Sequence, residues 1–393
     1  MKRIIGFILI VAGCALMIFV IYKNSIYSKR VHTFSAYSFL QSTWEKYKDQ
    51  YINQDGRVLD HSQSDITTSE GLSYALLRSV WIDDQDEFDK VWNFTNNTMK
   101  RPKDNLFGWR FGKLKSGKYG FIEQGGINSA ADADSDIALS LILASERWSK
   151  KEYKDEALKI LSDLWAIETV NVNGKRYLIA GNWANNPNGI IVNPSYFSPY
   201  AYRVFAKIDK KHDWESLIEP GYELLVNSSD ANLDKDKSVD LPPDWLGIDK
   251  KTGDLLATGN PSLSTNYSYD AIRVPFRVAL DYKWNKEAKA SDYLKIMCKF
   301  LIDQYQKTGK LGSVYSHNGD LINSQESPAF YGASIGCFDV GNTDIGKRIY
   351  EEKIVRLYSN TDNEFNRDIS YYDQNWLWFG AAMHQNLLTN YAE

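Results

Sequence analysis

The chain has 393 residues, 43% hydrophobic and 24% charged, a balance that suits a folded body and excludes a mainly disordered or mainly membrane-embedded one. A formal net charge of -4, with Lys and Arg scattered throughout, leaves no basic footprint for nucleic acid. Aromatic residues are in surplus, with 12 Trp, 25 Tyr and 17 Phe. Their ring faces suit the apolar faces of sugars, while a Tyr-rich core is the plainer explanation.

Lys2 and Arg3 precede an apolar stretch from Ile4 to Tyr22, whose 19 residues at helical rise come close to the hydrocarbon thickness of a bilayer. A cleavable signal has a shorter apolar core followed by a small-x-small site, whereas this run ends in Y-K-N-S-I-Y-S-K-R. Residues 1–24 therefore read as an uncleaved signal anchor, a single transmembrane helix, followed by a linker at 25–34. Val11-Ala12-Gly13-Cys14 matches a lipoprotein box, but eight apolar residues follow Cys14 where such proteins turn polar. Lys2 and Arg3 are balanced by Lys23, Lys29 and Arg30, so charge gives no topology.

From about residue 35 to 393 the sequence reads as helix after helix, without sustained strand-type alternation. Stripes at helical spacing include Phe88, Val91, Trp92 and Thr95; Ile137, Leu141, Ala144 and Trp148; and Tyr293, Ile296, Met297, Phe300 and Leu301. Twelve helices are expected, starting near residues 35, 69, 85, 131, 151, 194, 211, 269, 286, 327, 342 and 373. Long links at 99–130, 168–193, 228–268 and 308–326 each precede an even-numbered helix. That alternation predicts an all-α fold, six helical hairpins closed into a barrel with the long loops on one functional rim.

Cys298 and Cys337 lie in apolar helical surroundings, where a free cysteine behaves as a small hydrophobe, and the pair forms at most one bridge. The five histidines lack H-E-x-x-H or other ligand spacing, so neither a catalytic metal nor a cofactor is expected. Asp230, Asn232, Asp234 and Asp236 alternate as in a calcium loop, but Lys235 replaces the turn glycine and Leu241 the closing Glu. A solvated acidic loop fits better.

Three carboxylates stand at predicted starts of even-numbered helices: Glu70 in T-T-S-E-G-L-S-Y, Asp132 in S-A-A-D-A-D-S-D, and Asp270 in Y-S-Y-D-A-I-R-V-P. An acid in a first helical turn is commonly only a cap or dipole partner. These three co-occur with loops rich in aromatics and amides, Gly108-Trp109, Gly181-Asn182-Trp183, Asn193-Pro194-Ser195-Tyr196 and Pro243-Asp244-Trp245. If the even helices line the barrel, all three face one cleft.

The stretch A-A-D-A-D-S-D-I-A-L-S-L-I-L-A-S-E-R-W from Ala130 to Trp148, with S-E-G, Y-D-A-I-R-V-P and the C-terminal Y-Y-D-Q-N-W-L-W-F-G, resembles glycoside hydrolase family 8. The resemblance runs from roughly residue 40 to these last motifs. It implies an (α/α)6 barrel and inverting cleavage of a β-1,4-linked polysaccharide, with Glu70 as general acid, Asp132 as sugar-binding residue and Asp270 as general base. Subgroups of the family place the base differently. The family has Ser or Thr before the first Asp of the signature, and this chain has Ala131.

An acid working at neutral pH must sit above the ordinary Glu value of about 4.3, through burial or a neighbouring negative charge. Asp132 is the natural neighbour for Glu70. Trp109, Trp183 and Trp245 are expected stacking platforms, with Tyr196 and Arg273 as polar partners; burial in a loop's own core is the competing reading for each Trp. A cellulose-like glucan is the favoured polymer, cut internally in an open groove. Xylan, chitosan, an N-acetylhexosamine exopolysaccharide and a non-catalytic saccharide-binding role stay open. A tether would hold the body outside the cytoplasm beside emerging chains, which makes a polysaccharide synthase a candidate partner.

Overall fold

Helices that bury one stripe and helices that are buried on most sides have different places in a fold, and this chain alternates the two. In the computed structural model, which describes residues 36–122, 125–233, 237–359, 364–365 and 369–393, twelve α-helices are present among the described residues. They are α1 (Ala36–Tyr51), α2 (Ser69–Ile82), α3 (Gln85–Phe94), α4 (Ala131–Trp148), α5 (Lys151–Glu168) and α6 (Pro199–Ile208). There follow α7 (Ile218–Asp230), α8 (Arg273–Asn285), α9 (Ala288–Thr308), α10 (Pro328–Gly341), α11 (Thr343–Ile349) and α12 (Tyr371–His384).

The even helices are wrapped in protein. Every residue of α4 from Ala131 to Ser145 is buried, as is every residue of α10 from Pro328 to Phe338. The odd helices bury one stripe, such as Tyr153, Ala157, Ile160, Leu161 and Leu164 of α5, and turn Lys and Glu to solvent. On α9 the expected stripe holds at Tyr293, Met297 and Leu301, but Ile296 falls on the solvent side and is 49% exposed.

The inner ring closes: α2 packs on α4, α4 on α6, α6 on α8, α8 on α10, α10 on α12, and α12 back on α2. The odd helices pack outside it, giving the expected (α/α)6 barrel. Between α10 and α12 two glycines let the backbones touch, since a Cβ on Gly332 would lie 2.1 Å from the Trp376 carbonyl and one on Gly380 2.4 Å from that of Gly332.

Three helix starts come later than the sequence predicts. The chain first makes 3-10 turns at Pro194–Tyr196 and Trp214–Leu217, and a turn at 268–272 before α8. Pro199 opens α6, and the residue before a proline is disfavoured in the α region, so Ser198 is kept out of the helix. Short strands, which the lack of alternation did not predict, also occur. Hairpins of two to four residues per strand sit in the long loops: Arg110–Lys113 with Tyr119–Phe121, Thr169–Val172 with Lys175–Leu178, and Val314–Tyr315 with Leu321–Asn323. The strand Gly189–Val192 pairs with Leu246–Asp249 and so ties two of these loops together.

Cys298 and Cys337 form a disulfide, Cα–Cα 5.2 Å, that joins α9 to α10. The expected anchor at 1–24 and linker at 25–34 lie outside the described residues, as do residues 234–236 of the acidic loop. Among the described residues no helix is long and apolar enough to cross a membrane.

Candidate active site

The long loops meet over the N-terminal ends of the inner helices. Thr68 caps α2 by accepting from the Gly71 N–H at 3.0 Å, and the Ser69 N–H donates to the Trp109 carbonyl at 3.2 Å, which fixes Glu70 in the first turn. α4 opens without a side-chain cap: Ala131 instead packs wholly buried in a small apolar cluster with Ile179 and Ala180, and its N–H donates to the Ala180 carbonyl. Asp132 follows in the first turn. Asp270 lies not in α8 but in the turn before it, three residues ahead of Arg273.

Arg273 brings the three carboxyls together. Its Nη1 donates to Glu70 Oε2 at 2.7 Å and to Asp132 Oδ2 at 2.8 Å, and its Nη2 to Asp270 Oδ1 at 2.5 Å. The guanidinium is 1% exposed, beneath the floor of the cleft, so the arginine expected to meet sugar directly holds the carboxylates instead. Its face lies 5.3 Å from the Tyr196 ring, within cation–π reach.

Three acids around one cation leave an excess of negative charge in a poorly hydrated place. Glu70 is pushed up to about 7, first by burial and then, against Arg273, by Asp132 and Asp270. Its side chain keeps 24% exposure toward the cleft, with protein on its other sides. Asp132 is also raised by burial, and its Oδ1 has no hydrogen-bond partner among the described residues. Asp270 Oδ2 accepts from Trp245 Nε1 at 3.0 Å.

The cleft above has a volume of about 450 Å³ and is lined by Glu70, Asp132, Asp270, Trp109, Trp183, Tyr196 and Trp245, so seven of the eight expected site residues face one space. Trp109 is the most open, 37% exposed, with its Nε1 donating to the Gly125 carbonyl. Trp183 and Trp245 stand 6.2 Å apart and Tyr196 meets Trp245 edge-on at 5.8 Å. Both tryptophans also pack on the small cluster of Val192, Leu246 and Ile248, so the core reading and the cleft reading each hold for part of the ring.

Sequence reasoning missed several groups. Tyr371 donates to Glu70 Oε1 at 3.4 Å and Tyr74 lies 3.4 Å from Arg273 Nη1. Tyr371 belongs to the quoted Y-Y-D-Q-N-W motif and could have been found there; Tyr74 looks like any helical tyrosine. Asp244, beside Trp245, is buried beneath the Asp270 turn. Under α4, burial lifts Glu168 to about 8, and burial with the nearby Glu168 raises Asp134 well above the carboxylate range.

The sequence profile described as Glycosyl hydrolases family 8 matches residues 18–377. The chain belongs to glycosyl hydrolases family 8. As a member of family 8 it is a glycoside hydrolase. It is 30% identical over 345 residues to Endoglucanase C of Ruminiclostridium cellulolyticum, covering 84% of this chain and 69% of that protein. With Endoglucanase 2 of Ruminiclostridium josui it shares 28% identity over 331 residues, 81% of this chain and 66% of the relative. A solved β-1,3-1,4-glucanase of Paenibacillus sp. X4 shares the fold, with a TM-score of 0.73 at 21% identity, covering 88% of this chain and 91% of that one.

Proposed function

We propose that this chain is an inverting endo-β-1,4-glucanase in which Glu70 is the general acid, Asp270 the general base and Asp132 the holder of the sugar at the point of cleavage. The observation that carries the reading is the convergence of these three carboxyls on Arg273 under an aromatic cleft, with Glu70 raised to about 7. Glu70 then keeps its proton up to about that pH, while Arg273 and Trp245 hold both oxygens of Asp270 in place at the cleft.

In the reaction the Glu70 proton passes to the glycosidic oxygen as the bond to the anomeric carbon breaks. A water attacks from the opposite face and gives its proton to Asp270, so each cut consumes one water and leaves a new reducing end of inverted configuration. Glu70 and Asp270 reach Nη1 and Nη2 of the same guanidinium, so both carboxyls are presented to one cleft. The two relatives named as endoglucanases favour a β-1,4-glucan, and the open row of Trp109, Trp183 and Trp245 favours internal cuts. Reducing-end release from a panel of β-1,4-glucan, xylan and chitosan, with product anomers followed by NMR, tests this. Glucan cleavage giving the α-anomer first is expected; inactivity on every β-1,4-glucan, or a β-anomer, would overturn it.

We also propose that the body works outside the cytoplasm on a membrane tether, close to a polysaccharide synthase. The apolar run Ile4–Tyr22 supports the tether, and the Cys298–Cys337 disulfide supports an oxidising compartment. Full-length protein should partition with membranes and be degraded by protease added to intact spheroplasts. Recovery in the soluble cytoplasmic fraction contradicts the proposal.

A further inference from the structure

We infer that Asp244 is a positioning residue for the proposed base, setting the height and direction of Asp270 in the cleft. Asp270 rides on the turn at 268–272, outside the helical ladder of α8, and so needs another support. Asp244 supplies it from a different loop. Its Oδ1 accepts from the Ser268 N–H at 3.1 Å and the Ala271 N–H at 2.8 Å, on either side of Asp270, and its Oδ2 meets the Ser268 hydroxyl. Its own N–H donates to the Asn266 carbonyl at 2.7 Å, which fastens the strand of chain leading into the turn.

The next residue completes the clamp, since Trp245 Nε1 donates to Asp270 Oδ2 at 3.0 Å. Asp244 therefore holds the backbone of the turn from beneath while Trp245 orients the carboxylate from the side. Asp244 is 3% exposed and does not line the cleft, so it acts through Asp270 and not on the sugar. Burial, and after it the neighbouring Asp270, push Asp244 up to about 7.

This inference rests on Asp270 being the base, and the test separates the two. Asp244→Ala frees the turn; kcat on a soluble β-1,4-glucan is expected to fall at least about 10-fold with KM within about 3-fold, because the sugar contacts remain. Asp244→Asn, whose carbonyl can accept the same two N–H bonds, should recover kcat to within about 3-fold of wild type. If the Ala variant does not fold, Ser268→Ala, which removes only the hydroxyl contact, is expected to lower kcat without moving KM. Wild-type kcat in folded Asp244→Ala, or in Ser268→Ala where that is the variant measured, overturns the inference. So does loss in Asp244→Asn equal to that in Ala. Asp270→Asn is the control: if it keeps polymer cleavage, the base assignment fails, whereas an inactive Asp270→Asn beside a fully active Asp244→Ala overturns the positioning role alone.

Discussion

Glu70 Oε2 lies 2.7 Å from Nη1 of Arg273, yet the Glu70 carboxyl stands at about 7 and not in the usual carboxylate range. A guanidinium at that distance pulls a carboxyl pKa down. Here burial is the larger effect, and the cation is divided among three carboxyls, so Asp132 and Asp270 offset much of its pull. The arrangement orders the acid without ionising it.

Asp132→Asn should move the basic limb of the kcat/KM profile to lower pH. The wild-type limb reports loss of the Glu70 proton near 7, and removing the Asp132 charge takes away one of the influences that raise it. The pH profile of the variant, scaled to its own maximum, reads the effect. An unmoved basic limb sinks this role for Asp132.

Arg273→Met should cost about 3–5 kcal/mol of stability, the range for breaking a buried ion pair by removing one partner. It leaves buried carboxyls without their cation, and any residual activity should extend to higher pH because Arg273 lowers Glu70. Arg273→Lys should not rescue it, since one ammonium cannot span three carboxyls as the planar fork does. Urea unfolding within about 1 kcal/mol of wild type contradicts the hub.

Folding stability should fall as pH rises from about 5 to 8. Glu70 and Asp244 at about 7 and Glu168 at about 8 are all raised above the unfolded value of about 4.3 for Glu and 3.9 for Asp. A carboxyl raised on folding contributes stability that is whole below its unfolded pKa and is lost as pH climbs through its folded pKa. Glu168→Gln should flatten the decline near pH 8. Thermal midpoints that rise steadily from pH 5 to 8 count against these assignments.

Replacing Cys298 and Cys337 together by alanine should lower stability by about 2–4 kcal/mol while leaving kcat at wild-type level. The bridge closes a 39-residue separation between α9 and α10, and neither cysteine lines the cleft. Denaturation with and without reductant checks the first half and a polymer assay the second. A loss of kcat with no loss of stability would reverse the reading.

Periodicity made the barrel legible, because inner helices such as α2 and α4 are buried on nearly every side and outer ones such as α5 are striped, and it placed Glu70 and Asp132 in first turns facing one cleft. What it could not show depends on contacts far apart in sequence. The sequence puts Asp270 at a helix start, and nothing local reveals that Asp244, 26 residues earlier, holds it in a separate turn. It makes Arg273 a polar partner of the sugar, because the bonds that bury it run to Asp132 and Glu70, 141 and 203 residues away. Glu168 and Asp134 passed unnoticed for the same reason: a helix-end Glu and a helical Asp look solvated until the loops close over them. The loop hairpins are too short to carry an alternation signal.

The central claim, that Glu70 delivers the proton, is tested most directly by the kcat of Glu70→Gln on a soluble β-1,4-glucan, with folding confirmed by its unfolding midpoint. A loss of about 10²–10⁴-fold with a retained cooperative transition is expected for removal of a general acid. Polymer cleavage within a few-fold of wild type would contradict the account.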